Sequence, residues 1–117
     1  MTPPAFSQAR WTDGPLLFIS GQLPLDDQGM PVSGGIREQA TAVFERLSAV
    51  LATEGSSLAD VVKLTYFLTD MTDLPGLRVV IGNFFADPKP ASTLVQVSAL
   101  IDQKFRLEIE AIATHRN

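Results

Sequence analysis

Near the end of the chain, Leu107-Glu108-Ile109-Glu110-Ala111 alternates apolar with acidic residues. On a strand this puts both carboxylates on one face, roughly 7 Å apart at the strand rise. Two acids sharing a surface can exchange protons with a bound molecule or orient a water. The same alternation suits a wet or salt-bridged sheet face, with Arg106 next along it and Lys63 available from another strand. A second candidate is Ser20-Gly21-Gln22, which offers a hydroxyl, an unobstructed backbone N–H and an amide within three residues. Such a cluster can hold a small carboxylate, or can simply turn the chain. The single histidine, His115, sits in Thr114-His115-Arg116-Asn117 and reads as a solvated tail residue, without the partners that a metal site or a triad requires. With no cysteine, disulfides, thiolate nucleophiles and zinc-thiolate sites are excluded together. The glycine-rich dinucleotide and phosphate loops, the serine-hydrolase elbow and the H-E-x-x-H zinc motif are also absent.

The elements that must position these residues are legible from spacing. Leu16-Leu17-Phe18-Ile19 is apolar at every position, which predicts a strand covered on both faces. Thr12-Asp13-Gly14-Pro15 separates it from Phe6 to Trp11, and Asp-Gly between two extended segments predicts an opening hairpin. Ile36, Ala40, Val43, Phe44, Leu47, Val50 and Leu51 recur at helical steps. Gly35 with Glu38 marks that helix's start, and Gly55 its left-handed end. Val62 to Leu68 alternates as a strand. Asp73 as N-cap and Pro75 in the first turn open a second, shorter helix along Leu77, Val80, Ile81, Phe84 and Phe85. Asp87-Pro88-Lys89-Pro90 stops it. Two strands, Thr93 to Ser98 and Lys104 to Ala113, close the chain, with a small extra strand expected near Leu23.

The reading is therefore a single domain, residues 1–117, of the α+β class: a mixed β-sheet with two helices packed on one face. Helices on one side leave the apolar residues of the other face without cover, and the natural cover is another copy of the chain. Nine Lys and Arg against 13 Asp and Glu leave a net charge of −4, which repels phosphate backbones. Nucleic acid is not an expected partner. Neither a basic and apolar leader nor an apolar run long enough to span a bilayer is present in these residues, so no membrane partner is expected and a cytoplasmic location is.

Phe6-Ser7-Gln8-Ala9, Leu17-Phe18-Ile19-Ser20-Gly21-Gln22, Val62-Lys63-Leu64-Thr65, Lys89-Pro90-Ala91-Ser92 and Leu107-Glu108-Ile109-Glu110-Ala111-Ile112-Ala113 together resemble the RidA family, the reactive intermediate deaminase A or YjgF family. The resemblance runs from about Phe6 to Ala113. It implies a chorismate-mutase-like subunit, a homotrimer with clefts between neighbouring copies, and cofactor-free hydrolysis of short-lived enamines and imines such as 2-aminoacrylate. In that family a glutamate on the last strand orients the attacking water, and it maps onto Glu108, allowing one extra residue near Ile101. An arginine following a Pro-Ala pair holds the substrate carboxylate, and here Ser92 stands in its place. Phe6 replaces a tyrosine of the cleft, Leu94 stands where many members have cysteine, and Arg78 occupies the helix position of a cleft-lining asparagine. Ser20 and Gly21 complete the implied substrate-binding set.

Two functions follow from these residues. One is a divergent hydrolase of an imine, enamine or related C–N bond in a small metabolite, with Glu108 positioning water and Ser20, Gly21 and Ser92 binding. The other is a trimeric binding or regulatory module that holds a small metabolite, for instance a carboxylate at Arg78, without turning it over. RNA cleavage, attributed to some members of the family, is a third reading that finds little physical support in an acidic chain without a pair of catalytic histidines.

Overall fold

A computed structural model describes residues 4–114. His115 lies outside the described residues. Four strands form one sheet, β1 (Leu16–Gln22), β2 (Val61–Leu68), β3 (Ala91–Gln96) and β4 (Leu107–Thr114), in the order β1-β4-β2-β3. Helix α1 (Ile36–Thr53) and helix α2 (Leu74–Phe84) pack together on one face. β4 runs antiparallel to both neighbours, whereas β2 and β3 are parallel and joined through α2. The α+β class with two helices on a mixed sheet is the observed architecture. No helix among the described residues is long and apolar enough to cross a membrane.

Alternation does what the spacing predicts in β2 and β4. Leu64, Tyr66, Leu68, Leu107, Ile109, Ala111 and Ala113 are buried against the helices. Their neighbours Lys63, Thr65, Phe67, Glu108, Glu110 and Ile112 point to the opposite, open face. Helix α1 supplies Val43, Phe44, Leu47 and Leu51, and Phe44 meets Phe84, Phe85 and Tyr66 at ring-centroid distances of 5.2, 5.3 and 6.5 Å. A β-carbon on Gly76 would stand 2.7 Å from Ile36 Cγ2, so the absent side chain lets α2 approach the start of α1. Gly35 N–H donates to Glu38 Oε1 at 2.7 Å, and Gly55, at φ +74°, follows the end of α1, as their positions predict.

The opening hairpin does not form. Of Phe6 to Trp11, only Ser7 makes a strand-like bridge, parallel to Ala91 at the far edge of the sheet. The Ser7 amide donates to Pro90 O at 3.0 Å, and Arg10 Nη1 donates to the carbonyls of Pro88 and Lys89 at 3.1 and 3.0 Å. Residues 7–15 therefore cross the end of the sheet where β2 and β3 begin and β4 ends. Thr114 Oγ1 then donates to Asp13 O at 2.7 Å just before β1 starts. Gly14 does take a positive φ, but the turn joins this crossing segment to β1 instead of pairing two strands. The expected small strand near Leu23 is reduced to one bridge, Leu25 with Pro31.

Strand boundaries also move, and β3 runs Ala91–Gln96 instead of Thr93 to Ser98. β4 starts at Leu107, not Lys104, because residues 102–106 are held in a turn: Asp102 Oδ1 accepts from the Lys104 amide, and Gln39 of α1 binds both Lys104 O and the Arg106 amide, at 2.8 and 2.7 Å. Asp73 precedes α2 but caps nothing with its side chain. A short 3-10 turn, Met71–Asp73, runs straight into the helix, so the capping role falls to Asp70, which accepts from the Thr72 amide. Asp73 instead accepts from Arg106 Nη1, at 3.2 and 3.0 Å.

Candidate functional site

β1 gains one residue against β4 between Ile19 and Gln22, so Ser20 and Gly21 together oppose a single residue of β4. At this bulge the side chain of Glu108, projecting from β4 onto the open face, lies against Gly21. A β-carbon on Gly21 would stand 2.8 Å from Glu108 Cδ and closer still to Oε2. Glu108, Gly21 and Ser20, three of the residues singled out in the sequence, are thus brought together. Ser20 is exposed, and Glu108 and Gly21 are half-buried.

Of the wet or salt-bridged face that the alternation allows, the structure lacks the salt bridges, and Glu110 is exposed. Arg106 is engaged by Asp73, and Lys63 Nζ donates to Thr93 Oγ1 at 2.7 Å. Among the described residues neither Glu108 nor Glu110 has an ion pair. A cavity of about 390 Å³ is lined by Phe18, Ser20, Lys63, Thr65, Glu110 and Ile112, with Glu108 outside its lining. It combines an unpaired carboxylate, hydroxyls, an ammonium group and apolar walls, a set that can bind a small polar molecule and orient water over it. Phe18, predicted to be covered on both faces, is 71% exposed in the single chain.

The remaining predicted residues lie elsewhere. Phe6 and Arg78 share a second cavity, of about 510 Å³, with Ala5, Ile81, Gly82 and Lys89 beside α2. Ser92 and Leu94 stand directly beside Leu64 and Tyr66 in the parallel pairing, so they point from β3 toward the helix side. Leu94 packs against the core. Within one chain the candidate residues thus form two groups on opposite sides of the sheet, with Ser92 and Leu94 on the edge strand and in neither cavity. The tyrosine, Tyr66, is no acid–base candidate: burial pushes its phenol above the ordinary tyrosine range and keeps it neutral.

Sequence spacing did not point to Lys89 or Gly82. Lys89 reaches the second cavity because the crossing segment, Ser7 and Arg10, binds the 88–90 carbonyls more than 75 residues away in sequence. A wider groove, of about 800 Å³, runs between α1 and residues 22–32, and of the Ser20-Gly21-Gln22 cluster only Gln22 reaches it. No group of three or more metal-ligating side chains occurs among the described residues.

The arrangement has close parallels. A protein of the RutC family from Pyrococcus horikoshii is 43% identical over 86% of this chain and 79% of its own length. The Escherichia coli protein TdcF, assigned by name to the reactive intermediate deaminases, is 34% identical over 86% of this chain and 79% of its own. Among solved structures, RidA from an Antarctic Psychrobacter superposes with a TM-score of 0.81 at 36% identity, covering 98% of this chain and 92% of that one. YyfB of Yersinia pestis, a member of the Rid family, superposes at 0.86 with 31% identity, over 95% and 87% of the two chains. The family model described as Endoribonuclease L-PSP matches residues 2–115. A family match over residues 2–115, joined to solved structures that superpose at TM-scores of 0.81 and 0.86, makes the chain a member of the Endoribonuclease L-PSP family, the family of RidA and YjgF.

Proposed function

We propose that this chain works in the cytoplasm as a homotrimer whose clefts, formed between neighbouring copies, take a small metabolite and hydrolyse an imine, enamine or related C–N bond in it. The observation that carries this reading is the unpaired carboxylate of Glu108 resting on the Ser20-Gly21 bulge of an open sheet face. A carboxylate free of counter-ions can accept a proton from water as that water attacks an imine carbon. Ser20 and Gly21 bind beside it. The split of candidate residues between two sides of one chain fits a cleft that needs two copies, one presenting Glu108 and the other Phe6, Arg78, Ser92 and Leu94. No cofactor takes part.

Ser92, where the family's deaminases carry arginine, offers no fixed charge to an α-carboxylate, which makes this chain a poor deaminase of 2-aminoacrylate. The same substitution favours a second reading, a trimer that binds its metabolite without turnover. The experiment follows imines formed in situ from ordinary amino acids, beside an arginine-bearing relative. Slow hydrolysis that disappears in Glu108→Gln and rises about tenfold or more in Ser92→Arg is the expected result, the gain being that of one charge-assisted contact. No hydrolysis by either the native chain or a folded Ser92→Arg trimer selects the binding module, and fast hydrolysis by the native chain overturns the role given to Ser92.

A further inference from the structure

The groove of about 800 Å³ lies on the helix side of the molecule, away from the open sheet face that carries Glu108. One bank is α1 from Arg37 to Val50, about 20 Å at the helical rise. That length matches roughly six residues of extended chain. The other bank is the loop that follows β1.

Acids stand on both banks. On α1, Glu38, Ala42, Glu45 and Ala49 follow at steps of four, three and four, so they form one stripe in which alanines leave notches between the carboxylates. On the loop, Asp26 Oδ1 accepts from the amides of Gln28 and Met30 at 2.8 and 2.9 Å, which fixes that carboxylate, and Asp27 follows it. Against these four acids the lining holds two guanidiniums, Arg37 and Arg46, so negative charge is in surplus. Among the described residues none of the six charges has an ion pair.

Arg46 differs from the rest. It is half-buried, between Val43 and Leu47 of the core stripe and the acidic stripe outside. Its Nε is shut off from solvent and has no acceptor among the described residues. A buried donor left without an acceptor is costly, and an oxygen brought into the groove would relieve that cost by reaching the guanidinium.

The acidic banks repel a polyanion, and a bare polycation has no oxygen for Arg46. An extended peptide with basic side chains meets both demands, because it carries a carbonyl at every residue and projects side chains to both banks. We infer that the groove docks an extended segment of a partner protein rich in Lys and Arg, its cations on Glu38, Glu45 and Asp27 and a backbone carbonyl on the Arg46 guanidinium. The docking is independent of hydrolysis at Glu108.

Calorimetry with an end-blocked hexapeptide of four lysines and two alanines tests it. Spermine, which has four positive charges and no carbonyl, and the same peptide with glutamate for lysine are the comparisons. The basic peptide is expected to bind at least tenfold more tightly than spermine and to weaken as salt is added, and the acidic peptide is expected not to bind. Glu45→Lys, at an exposed position, should weaken the basic peptide about tenfold while the circular dichroism spectrum stays native. Arg46→Met separates docking from plain charge attraction. It keeps the stem but takes a cation out of the groove, so attraction alone predicts tighter binding of both probes. Loss of the carbonyl contact instead weakens the peptide about fivefold or more and leaves spermine as tight or tighter. Peptide affinity no better than that of spermine, unchanged in Glu45→Lys, or raised by Arg46→Met overturns the inference.

Discussion

Glu108 rests its carboxylate where a side chain on Gly21 would have to be, across the β1–β4 pairing. The obstructing atoms are the end of a flexible side chain, so alanine at position 21 can be accommodated if the carboxylate swings away. Gly21→Ala is expected to change unfolding free energy by less than about 1 kcal/mol while abolishing whatever Glu108 does to a bound substrate. The double variant Gly21→Ala/Glu108→Gln should be no worse than either single one, because both remove the same group from the same place. Turnover, or ligand affinity where there is no turnover, measured across the four proteins checks this. Additive losses would separate the two residues.

The open face bears on assembly. Phe18 and Ile112 are cross-strand partners there, and Leu16 and Val95 are 46% and 40% exposed in the single chain. Phe18→Asp removes no core contact of the monomer, so its cost to the isolated fold should stay within about 0.5 kcal/mol. Its cost to an apolar interface should be large. The native chain is expected to sediment as a trimer and Phe18→Asp as a monomer with an unchanged far-ultraviolet spectrum. A native monomer at micromolar concentration would remove the inter-copy cleft from the proposal.

Gln39 pins α1 to the turn before β4. It is 3% exposed, donates to Lys104 O and accepts from the Arg106 amide. Leucine in its place leaves two backbone groups facing apolar surface, and Gln39→Leu should cost about 2–4 kcal/mol in urea unfolding. A loss below about 1 kcal/mol would mean that water reaches those groups.

Asp70 supplies the pH dependence. The Thr72 hydroxyl and then its amide, both donating to Oδ1, hold the Asp70 carboxyl below the ordinary aspartate range, with a smaller contribution from Arg106. A carboxyl whose folded pKa is depressed favours the native state above its unfolded pKa, and that contribution fades as pH falls through the folded value. In a carbon-detected titration, Thr72→Ala should move the Asp70 midpoint upward toward the ordinary value. Coincident midpoints in the two proteins would show that the hydroxyl contributes nothing.

What could be read from the sequence was what neighbouring residues decide among themselves. The Gly35–Glu38 start, the Gly55 stop and the alternation through β2 and β4 depend on periods of three to seven residues, and the structure keeps them. The hairpin failed for the opposite reason. Asp13-Gly14 specifies a turn but not what Phe6 to Trp11 will pair with, and the carbonyls of residues 88–90 lie too far along the chain to be anticipated. Asp73 stands at the N-cap of α2 as its position predicts, but its side chain caps nothing, because Met71–Asp73 extends the helix backward by one tight turn whose cap is Asp70. At the site, strand alternation gave the face that Glu108 occupies, while its grouping with Ser20 and Gly21 was implied only by the resemblance, because nothing local foretells the bulge that brings Gly21 under it. The cavity at Arg78 needed Lys89, whose position depends on contacts with Ser7 and Arg10.

The strand order has a consequence for the birth of the protein. β4 is the last of the described strands in chain order, yet it lies inside the sheet, between β1 and β2. Until its residues leave the ribosome, β1 has no hydrogen-bonding neighbour and β2 has only β3. The sheet therefore closes only once β4 has emerged, through pairings such as Leu16 with Thr114 that join residues 98 positions apart. For that interval Phe18 and its neighbours stand unpaired on a nascent strand, which makes the growing chain a client for ribosome-associated chaperones and makes truncation anywhere before Leu107 a route to aggregation rather than to a smaller fold.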